Sequence, residues 1–271
     1  MTYVIKWDGR KEPFKREKVV RTLLRLGAPM DVSERIVQGI EAQIYDGITT
    51  KEVLDKVFQG LEEYKPAVAS MRDLRAAIGE MRPAPDFEEY VRIVLRAHGY
   101  KVSSNRVIRG FCVTHEIDGV AEKDGETVYL EVKHHADSHT YTPFGVTLAA
   151  KAKWDDIEKG FQKGLNRTSF DRVLIVCNTR LTRHAARYAE CIGLEHLGWN
   201  TPAGRGLDAL ITEKLFPLTI LKNLTSVERD TLADAGIITL KQLVDKGLPK
   251  INISKARLKE LVGEAEQILT K

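Results

Sequence analysis

The chain has only three cysteines, Cys112, Cys177 and Cys191, and no two stand in CxxC spacing. An odd count without paired spacing excludes a disulfide framework and a zinc ribbon. All three are expected to be small buried hydrophobes. Long apolar runs are missing as well. A bilayer span needs about 20 apolar residues in a row, and no stretch approaches that, so no membrane segment is expected. The opening residues, Met1 to Phe14, lack the apolar centre of a secretory leader, and a reducing cytoplasm is the expected setting. No GxxxxGK[ST] loop occurs, which argues against ATP hydrolysis. Long repeats and low-complexity tracts are absent too. Neither sign of charge dominates: 42 Lys and Arg against 38 Asp and Glu leave +4. Such a balance permits nucleic-acid contact without demanding it. Any basic surface must come from placement.

What is present supports folded domains. The 271 residues are 43% hydrophobic and 30% charged, enough for two or three modules with real cores. Three segments separate. Residues 1–82 open with a strand over Tyr3 to Trp7 and a turn at Asp8-Gly9. A helix then carries Val19, Leu23 and Leu26 and stops at Gly27 and Pro29. Further helices are expected from Ser33 to Tyr45, after Thr49 or Thr50 as cap with Val53, Leu54, Val57, Phe58 and Leu61 inward, and from Pro66 to Met81. Arg82-Pro83-Ala84-Pro85 stops the last of these and marks a boundary.

Residues 83–200 alternate helix and strand: a helix over Phe87 to His98, then strands at Tyr100 to Val107, Cys112 to Glu122 and Thr127 to Lys133. Asp124-Gly125 is a strong hairpin turn between the last two. A helix from Ala149 to Lys163, a strand at Val173 to Cys177, a helix from Arg183 to Ile192 and a strand at Leu194 to Leu197 complete a sheet covered by helices. Residues 201–271 read as all helical, ending in a helix from Ser254 to Leu269.

Chemistry concentrates at Glu131-Val132-Lys133. On a strand, residues two apart share a face, with Cα atoms about 6.5 to 7 Å apart. Glu131 and Lys133 therefore project together, while Val132 turns inward. The Asp124-Gly125 hairpin brings Asp118 towards Glu131. Two carboxylates and a lysine at one place suit phosphodiester hydrolysis. Carboxylates with a strand carbonyl such as that of Val132 hold a hard cation. The cation acidifies water, and the lysine orients it or stabilises transition-state charge.

Ile117-Asp118, a hairpin, then Glu131-Val132-Lys133 resembles the PD-(D/E)xK nuclease core. This superfamily includes type II restriction enzymes, Mrr-like endonucleases and archaeal Holliday-junction resolvases. Ile117 stands where the family name has proline. In the Mrr-like and resolvase branches an acidic residue of the preceding helix often joins the metal site, and Phe87-Glu88-Glu89-Tyr90 resembles that helix, with Glu88 preferred to Glu89. The resemblance implies catalytic residues Glu88, Asp118, Glu131 and Lys133. It implies Mg²⁺ or Mn²⁺ on Asp118, Glu131, Glu88 and the Val132 carbonyl, and DNA as substrate. His134, His135 and His139 read as loop residues beside this site in preference to a zinc centre. Lys151 and Lys153 on one helix, and Arg183 on another, are candidates to track a DNA backbone.

Val4-Ile5-Lys6-Trp7-Asp8-Gly9-Arg10, then Glu12-Pro13-Phe14 and Lys18, resembles the ATP-cone, and so does Ile44-Tyr45-Asp46-Gly47-Ile48-Thr49-Thr50 before a helix. The ATP-cone senses ATP or dATP as an effector in ribonucleotide reductases. The resemblance implies a nucleotide site of Lys6, Trp7, Glu12, Lys15, Lys18 and Thr50. Here lysines surround the triphosphate, and Glu12 or a backbone group reads adenine or ribose. Arg72 or Arg75 is a further phosphate contact. Leu232-Ala233-Asp234-Ala235-Gly236-Ile237-Ile238-Thr239-Leu240 resembles a helix-hairpin-helix, whose amides often meet DNA phosphates; packing or dimerisation is an equal reading.

The expected architecture is α/β. It comprises a mostly helical N-terminal ATP-cone (1–82), a central restriction-endonuclease-like mixed sheet flanked by helices (83–200), and an all-α, helix-hairpin-helix-like C-terminal domain (201–271). The expected activity is nucleotide-regulated, Mg²⁺-dependent DNA cleavage, with a homodimer as the expected assembly. The rival is a catalytically inactive, ATP- or dATP-sensing DNA-binding regulator.

Overall fold

A computed structural model describes residues 2–65, 71, 73–246 and 249–269. The chain forms two compact units: Met1–Arg72 with Thr212–Lys271, and Asp73–Ile211.

The N-terminal part begins with β1 (Tyr3–Ile5), antiparallel to β2 (Lys11–Pro13). Gly9, at φ +79°, supplies the left-handed residue of the turn between them. Then come α1 (Arg16–Arg25) and α2 (Met30–Glu41). The second helix starts earlier than Ser33 because Pro29, at φ −60°, is already shaped to lead into it. β3 (Ile48–Thr49) pairs parallel with β1 and leads into α3 (Thr50–Glu62).

Four residues of the Tyr45–Thr49 run have a local task each. Asp46 accepts the Tyr3 N–H at 2.9 Å, and the Tyr45 hydroxyl donates to Glu52 at 2.7 Å. Ile48 is fully buried. Thr49 forms a capping box with Glu52, bonds of 3.1 and 2.9 Å satisfying two helix-end amides. Val53, Val57 and Leu61 face the core, while Leu54 and Phe58 are half-buried. Of the helix expected from Pro66 to Met81, residues 66–70 and 72 lie outside the described residues. Its described helical part, α4 (Leu74–Gly79), falls in the second unit.

In the second unit Arg82 clasps Asp86 at 2.7 Å across the turn Pro83–Phe87, and α5 (Glu88–Ala97) follows. The strand expected over Tyr100 to Val107 is two, β4 (Lys101–Ser103) and β5 (Arg106–Arg109). The next expected strand is also two, β6 (Thr114–Ile117) and β7 (Gly119–Lys123), broken at Asp118. The reason is a change of sheet. β5 and β6 pair with each other as a separate ribbon, while β4 and β7 join the main sheet. Periodicity alone shows no such transfer.

The hairpin to β8 (Glu126–Lys133) pairs Lys123 with Glu126, and Asp124 and Gly125 take positive φ of 53° and 85°. Such a two-residue turn matches the twist of the strands it joins. β9 (Tyr141–Thr142), α6 (Phe144–Gln162), β10 (Arg172–Cys177), β11 (Arg180–Leu181), α7 (Arg183–Cys191), β12 (Glu195–Leu197) and α8 (Leu207–Leu210) complete the unit. Pro143 starts α6 ahead of Ala149, the expected beginning.

The main sheet runs β12-β10-β8-β7-β4, antiparallel from β4 to β8 and parallel from β8 to β12. Fully buried Tyr129 and Ile175 of this sheet form one core with Ile117 of β6 and with Ala150 and Ile157 of α6. A mixed sheet flanked by helices is therefore observed, as expected. Of the cysteines only Cys177 is buried; Cys112 and Cys191 are exposed thiols, contrary to expectation.

The C-terminal part holds α9 (Ser226–Asp234), α10 (Leu240–Lys246) and α11 (Lys255–Leu269). Leu232, Ile237, Leu240 and Leu243 are its core. Gly236 turns the chain at φ +69°. The turn's amides are engaged internally: Gly236 to Ala233, Ile237 to Leu232, and Ile238 and Thr239 to the Gln242 side chain. The turn therefore presents none of these amides to a phosphate as it stands, and the geometry favours the packing reading.

Candidate active site

The centre of the site is the place where β7 ends and β8 runs on. The last pair of the β7–β8 ladder is Gly119 with Leu130. Beyond it the Val132 N–H has no strand partner on that edge. Asp118 supplies one: its Oδ2 accepts the Val132 N–H at 2.7 Å. Within a strand the carbonyl of a residue leaves on the same edge as its N–H, so the Val132 oxygen faces the same side as Asp118. Gly119 is required beside it, because a Cβ there would fall 2.9 Å from the Ser103 carbonyl oxygen. The close approach of β4 is what lets the chain turn at Asp118.

Glu131 shares a face of β8 with Tyr129 and Lys133. The buried Tyr129 hydroxyl donates to the Glu131 Oε2, and Lys153 of α6 pairs with the same oxygen at 3.0 Å. Lys153 was expected among the DNA-backbone contacts with Lys151. The two lie two positions apart on a helix, roughly 200° round its axis, so they cannot face the same way. Lys151 turns outward to Asp155 and lies 5.4 Å above the Trp154 ring. Lys153 turns inward to the carboxylates. Lys133 is exposed, and among the described residues it makes no ion pair. Val132, expected to enter the core, is half-buried.

Glu88 and Glu89 are separated by their partners. Glu89 is held by Arg92 and Arg96, each at 2.7 Å. Glu88 accepts from Asn105 at 3.1 Å and stands 3.8 Å from Arg92. Arg92, only 4% exposed, also donates to the Asp118 carbonyl at 2.8 Å. It ties the acidic helix to the strand break. Arg92, Asn105 and Tyr129 are absent from the expected residues. The one hint of Arg92 in the sequence is a charge on the otherwise apolar Tyr90–Leu95 stretch.

Electrostatics single out Asp118. Burial pushes its carboxyl up to about 6; the Val132 N–H works against this, while the charges of Glu131 and Glu88 add to it and Lys153 relieves it. The fold thus gathers more negative charge than it neutralises. That excess, and an all-oxygen donor set, fits a hard divalent cation held by Asp118, Glu131 and the Val132 carbonyl, with Glu88 one step further out. Among the described residues no three His, Cys, Asp or Glu side chains already close on a single point, so a cation would draw these groups inward.

The histidines after β8 serve the loop. The His134 ring lies 5.0 Å from that of Phe87 and its Nε2 is 2.9 Å from the Ile78 carbonyl; burial holds its pKa down. His135 is fixed through Asn178, which accepts its N–H at 2.8 Å and donates to its carbonyl at 2.7 Å.

In the other unit a cavity of about 130 Å³ is lined by Lys6, Lys15, Lys18 and Thr50 over an apolar floor of Val4 and Val53. Four of the six expected nucleotide residues thus share one wall. Glu12, expected to read adenine or ribose, instead bridges Lys6 and Lys18 at 3.5 Å each. Burial works to raise its pKa, but those two charges outweigh that and hold it below the ordinary value. Trp7 does not line the cavity and is 58% exposed. A larger groove of about 620 Å³ between α2 and α3 contains none of the expected residues. Of the two arginines left open, Arg72 lies outside the described residues, and Arg75 sits in the second unit, bonded to the Ser138 carbonyl. Arg183 is exposed at the start of α7.

Known families match three successive stretches of the chain. Residues 2–75 match the ATP cone domain, 80–195 a restriction endonuclease domain, and 216–269 the AF1548-like C-terminal domain. An uncharacterized protein of Archaeoglobus fulgidus is 32% identical over 180 residues, covering 65% of this chain and 98% of that one. The crystal structure of AF1548, a protein of unknown function, superposes with a TM-score of 0.57 at 30% identity, over 73% of this chain and 98% of that one. The chain therefore joins a nuclease-type domain to a nucleotide-sensor-type domain. Among the described residues no helix is long and apolar enough to cross a membrane.

Proposed function

The chain belongs to the AF1548-like family, and from that premise we propose that it is a nucleotide-regulated, Mg²⁺-dependent DNA endonuclease. The carrying observation is the pair Asp118 and Glu131, set side by side where β8 outruns β7, with the Asp118 carboxyl raised by its acidic neighbours. When bound, Mg²⁺ or Mn²⁺ supplies Lewis acidity towards the phosphate and a more acidic water. Asp118, Glu131 and the Val132 carbonyl would hold it, with Glu88 as a further acidic member. Lys133, exposed and among the described residues without a carboxylate partner, meets the reacting phosphate and stabilises charge on it. Lys153 keeps Glu131 in position. Arg92 fixes the strand break by holding the Asp118 carbonyl.

In this reading residues 1–82 sense ATP or dATP, 83–200 cut, and 201–271 are a helical accessory domain. Lys6, Lys15, Lys18 and Thr50 bind the phosphates, and Glu12 yields the two lysines to the nucleotide. Lys151 and Arg183 contact the DNA backbone. A homodimer offers one site per strand for a duplex cut, and the free thiols suit a reducing cytoplasm. Regulation requires that the nucleotide bind two states of the protein unequally.

The test is incubation with linear, branched and single-stranded DNA in Mg²⁺ or Mn²⁺, with and without ATP, beside Glu131→Ala and Lys133→Ala. Metal-dependent cleavage lost in both variants supports the reading. Cleavage surviving both removes the assigned site. DNA binding without cleavage of any substrate replaces the enzyme by the ATP- or dATP-sensing regulator.

A further inference from the structure

Two arginines unused by the carboxylate cluster stand together past the end of β8. Arg75 of α4 reaches the loop that follows Lys133. Its Nη2 donates to the Ser138 carbonyl, and its Nη1 is 3.5 Å from the His139 Nδ1. α4 packs tightly on this loop: a Cβ at Gly79 would fall 2.8 Å from the Ala136 carbonyl oxygen. Arg180 lies on β11 opposite Tyr141 of β9. Its Nε donates to the Trp199 carbonyl at 3.2 Å.

Burial disfavours charge on Arg75, and the positive charge of Arg180 adds to that; Asp73, Tyr141 and Asp137 oppose it in part. Among the described residues neither arginine pairs with a carboxylate. The Arg75 Nε is buried without a hydrogen-bond partner. Two guanidinium groups gathered at a desolvated place, one with an idle donor, call for an anion. Their planar forks match the oxygens of a phosphate.

Position narrows the anion. Lys133 of β8 and Cys177 of β10 are register partners at the ends of parallel strands. The loop bearing His139 leaves one end, and the turn into β11 leaves the other. The arginines therefore lie beyond the carboxyl ends of β8 and β10, outside which ligands of such sheets bind. We propose that Arg75, Arg180 and His139 form a phosphodiester subsite that holds the DNA backbone beside the scissile bond. This rests on the nuclease reading above. A phosphate reaches the site either as DNA backbone or as the triphosphate of a nucleotide; the proximity to Lys133 assigns it to DNA.

The experiment measures binding of the full chain to duplex DNA without divalent metal, across a series of salt concentrations. ATP binding is measured in parallel. Arg180→Gln is expected to weaken DNA binding about tenfold. It should also lower the slope of log K against log salt by about 0.9, the signature of one lost phosphate contact. Arg180→Lys restores the slope but only part of the affinity, and ATP binding is unchanged throughout. Arg75→Gln should repeat the loss; should it unfold, Arg180→Gln decides alone. An unchanged slope and affinity in Arg180→Gln, with wild-type protein that binds and cuts DNA, overturns the subsite and leaves the nuclease intact. Loss of ATP binding in Arg180→Gln, with DNA binding kept, assigns the phosphate to the nucleotide and also overturns it. Wild-type protein that neither binds nor cuts DNA removes both readings.

Discussion

Near Asp118, three acidic side chains crowd a half-buried corner; near Thr50, three lysines line an open cavity with a single glutamate between two of them. The acidic corner is held from several directions. Its carboxylates sit at a strand break, on a strand and on a helix; the Val132 N–H ties Asp118, Lys153 ties Glu131 and Asn105 ties Glu88, while Arg92 fixes the Asp118 carbonyl. The basic cavity is held by side chains with long flexible stems, and Glu12 is a replaceable counter-charge. Cutting a phosphodiester demands donors already in place. Sensing a nucleotide requires only that a bound anion displace an internal one.

The largest expected effect breaks the first site. Glu131→Ala should lower cleavage by about a hundredfold to a thousandfold while leaving DNA binding intact, read by turnover and by a binding isotherm. A comparable loss in Lys18→Ala would dissolve the contrast between fixed and exchangeable sites.

Next comes the division of labour between the lysines. Lys153→Met should cut turnover about tenfold to a hundredfold, the usual cost of losing a supporting contact. It should also tighten Mn²⁺ binding, since Glu131 loses its resident cation. Lys133→Met should lower turnover with metal affinity unchanged. Calorimetric Mn²⁺ titration of both variants decides; identical isotherms would mean that Lys153 does not position Glu131.

A third effect is on stability. The Asp118 carboxyl titrates near 6, above its ordinary 3.8, so the folded chain holds a proton that the unfolded chain releases earlier. That contribution is fully present below about pH 4 and is lost as pH rises through 6. Asp118→Asn keeps an acceptor for the Val132 N–H and removes the charge. In metal-free protein it should raise the thermal midpoint by a few degrees at pH 7, at about 2 to 4 °C per kcal/mol, and by nothing at pH 4. Wild-type Mg²⁺ affinity should fall as pH drops through 6. A midpoint difference independent of pH would contradict the crowded-carboxylate account.

The smallest effects probe the second site. Lys18→Ala should weaken ATP binding about tenfold, the scale of one charged hydrogen bond. Glu12→Gln should strengthen it a few-fold by releasing Lys6 and Lys18. Weaker binding in Glu12→Gln would return Glu12 to reading the base or ribose.

Much of this was legible in the chain itself. The Asp124-Gly125 turn, the same-face pair Glu131 and Lys133 and a cap at Thr49 or Thr50 follow from local geometry, which acts within a few residues. The choice of Glu88 over Glu89 rested on resemblance; in the structure Arg92 and Arg96 hold Glu89, and Asn105 holds Glu88. Helical phase already separates Lys151 from Lys153; only the packing of α6 decides that Lys153 is the one turned to Glu131. The changes of sheet at Ser104–Asn105 and Asp118 were hidden because which strand each half pairs with is decided across the fold.

The sequence by itself determined most of the helices, the turns and which residue types carry the proposed chemistry, because these depend on neighbours along the chain. Tertiary structure alone decided that Asp118 replaces a missing strand partner of Val132, that Lys153 faces Glu131, and that Arg75 leaves the nucleotide-type segment for the loop after β8. Each of these depends on an unpaired amide, a charge or a buried donor meeting its partner across a fold. Three cysteines without paired spacing excluded a disulfide scaffold from the outset; only packing distinguished buried Cys177 from exposed Cys112 and Cys191.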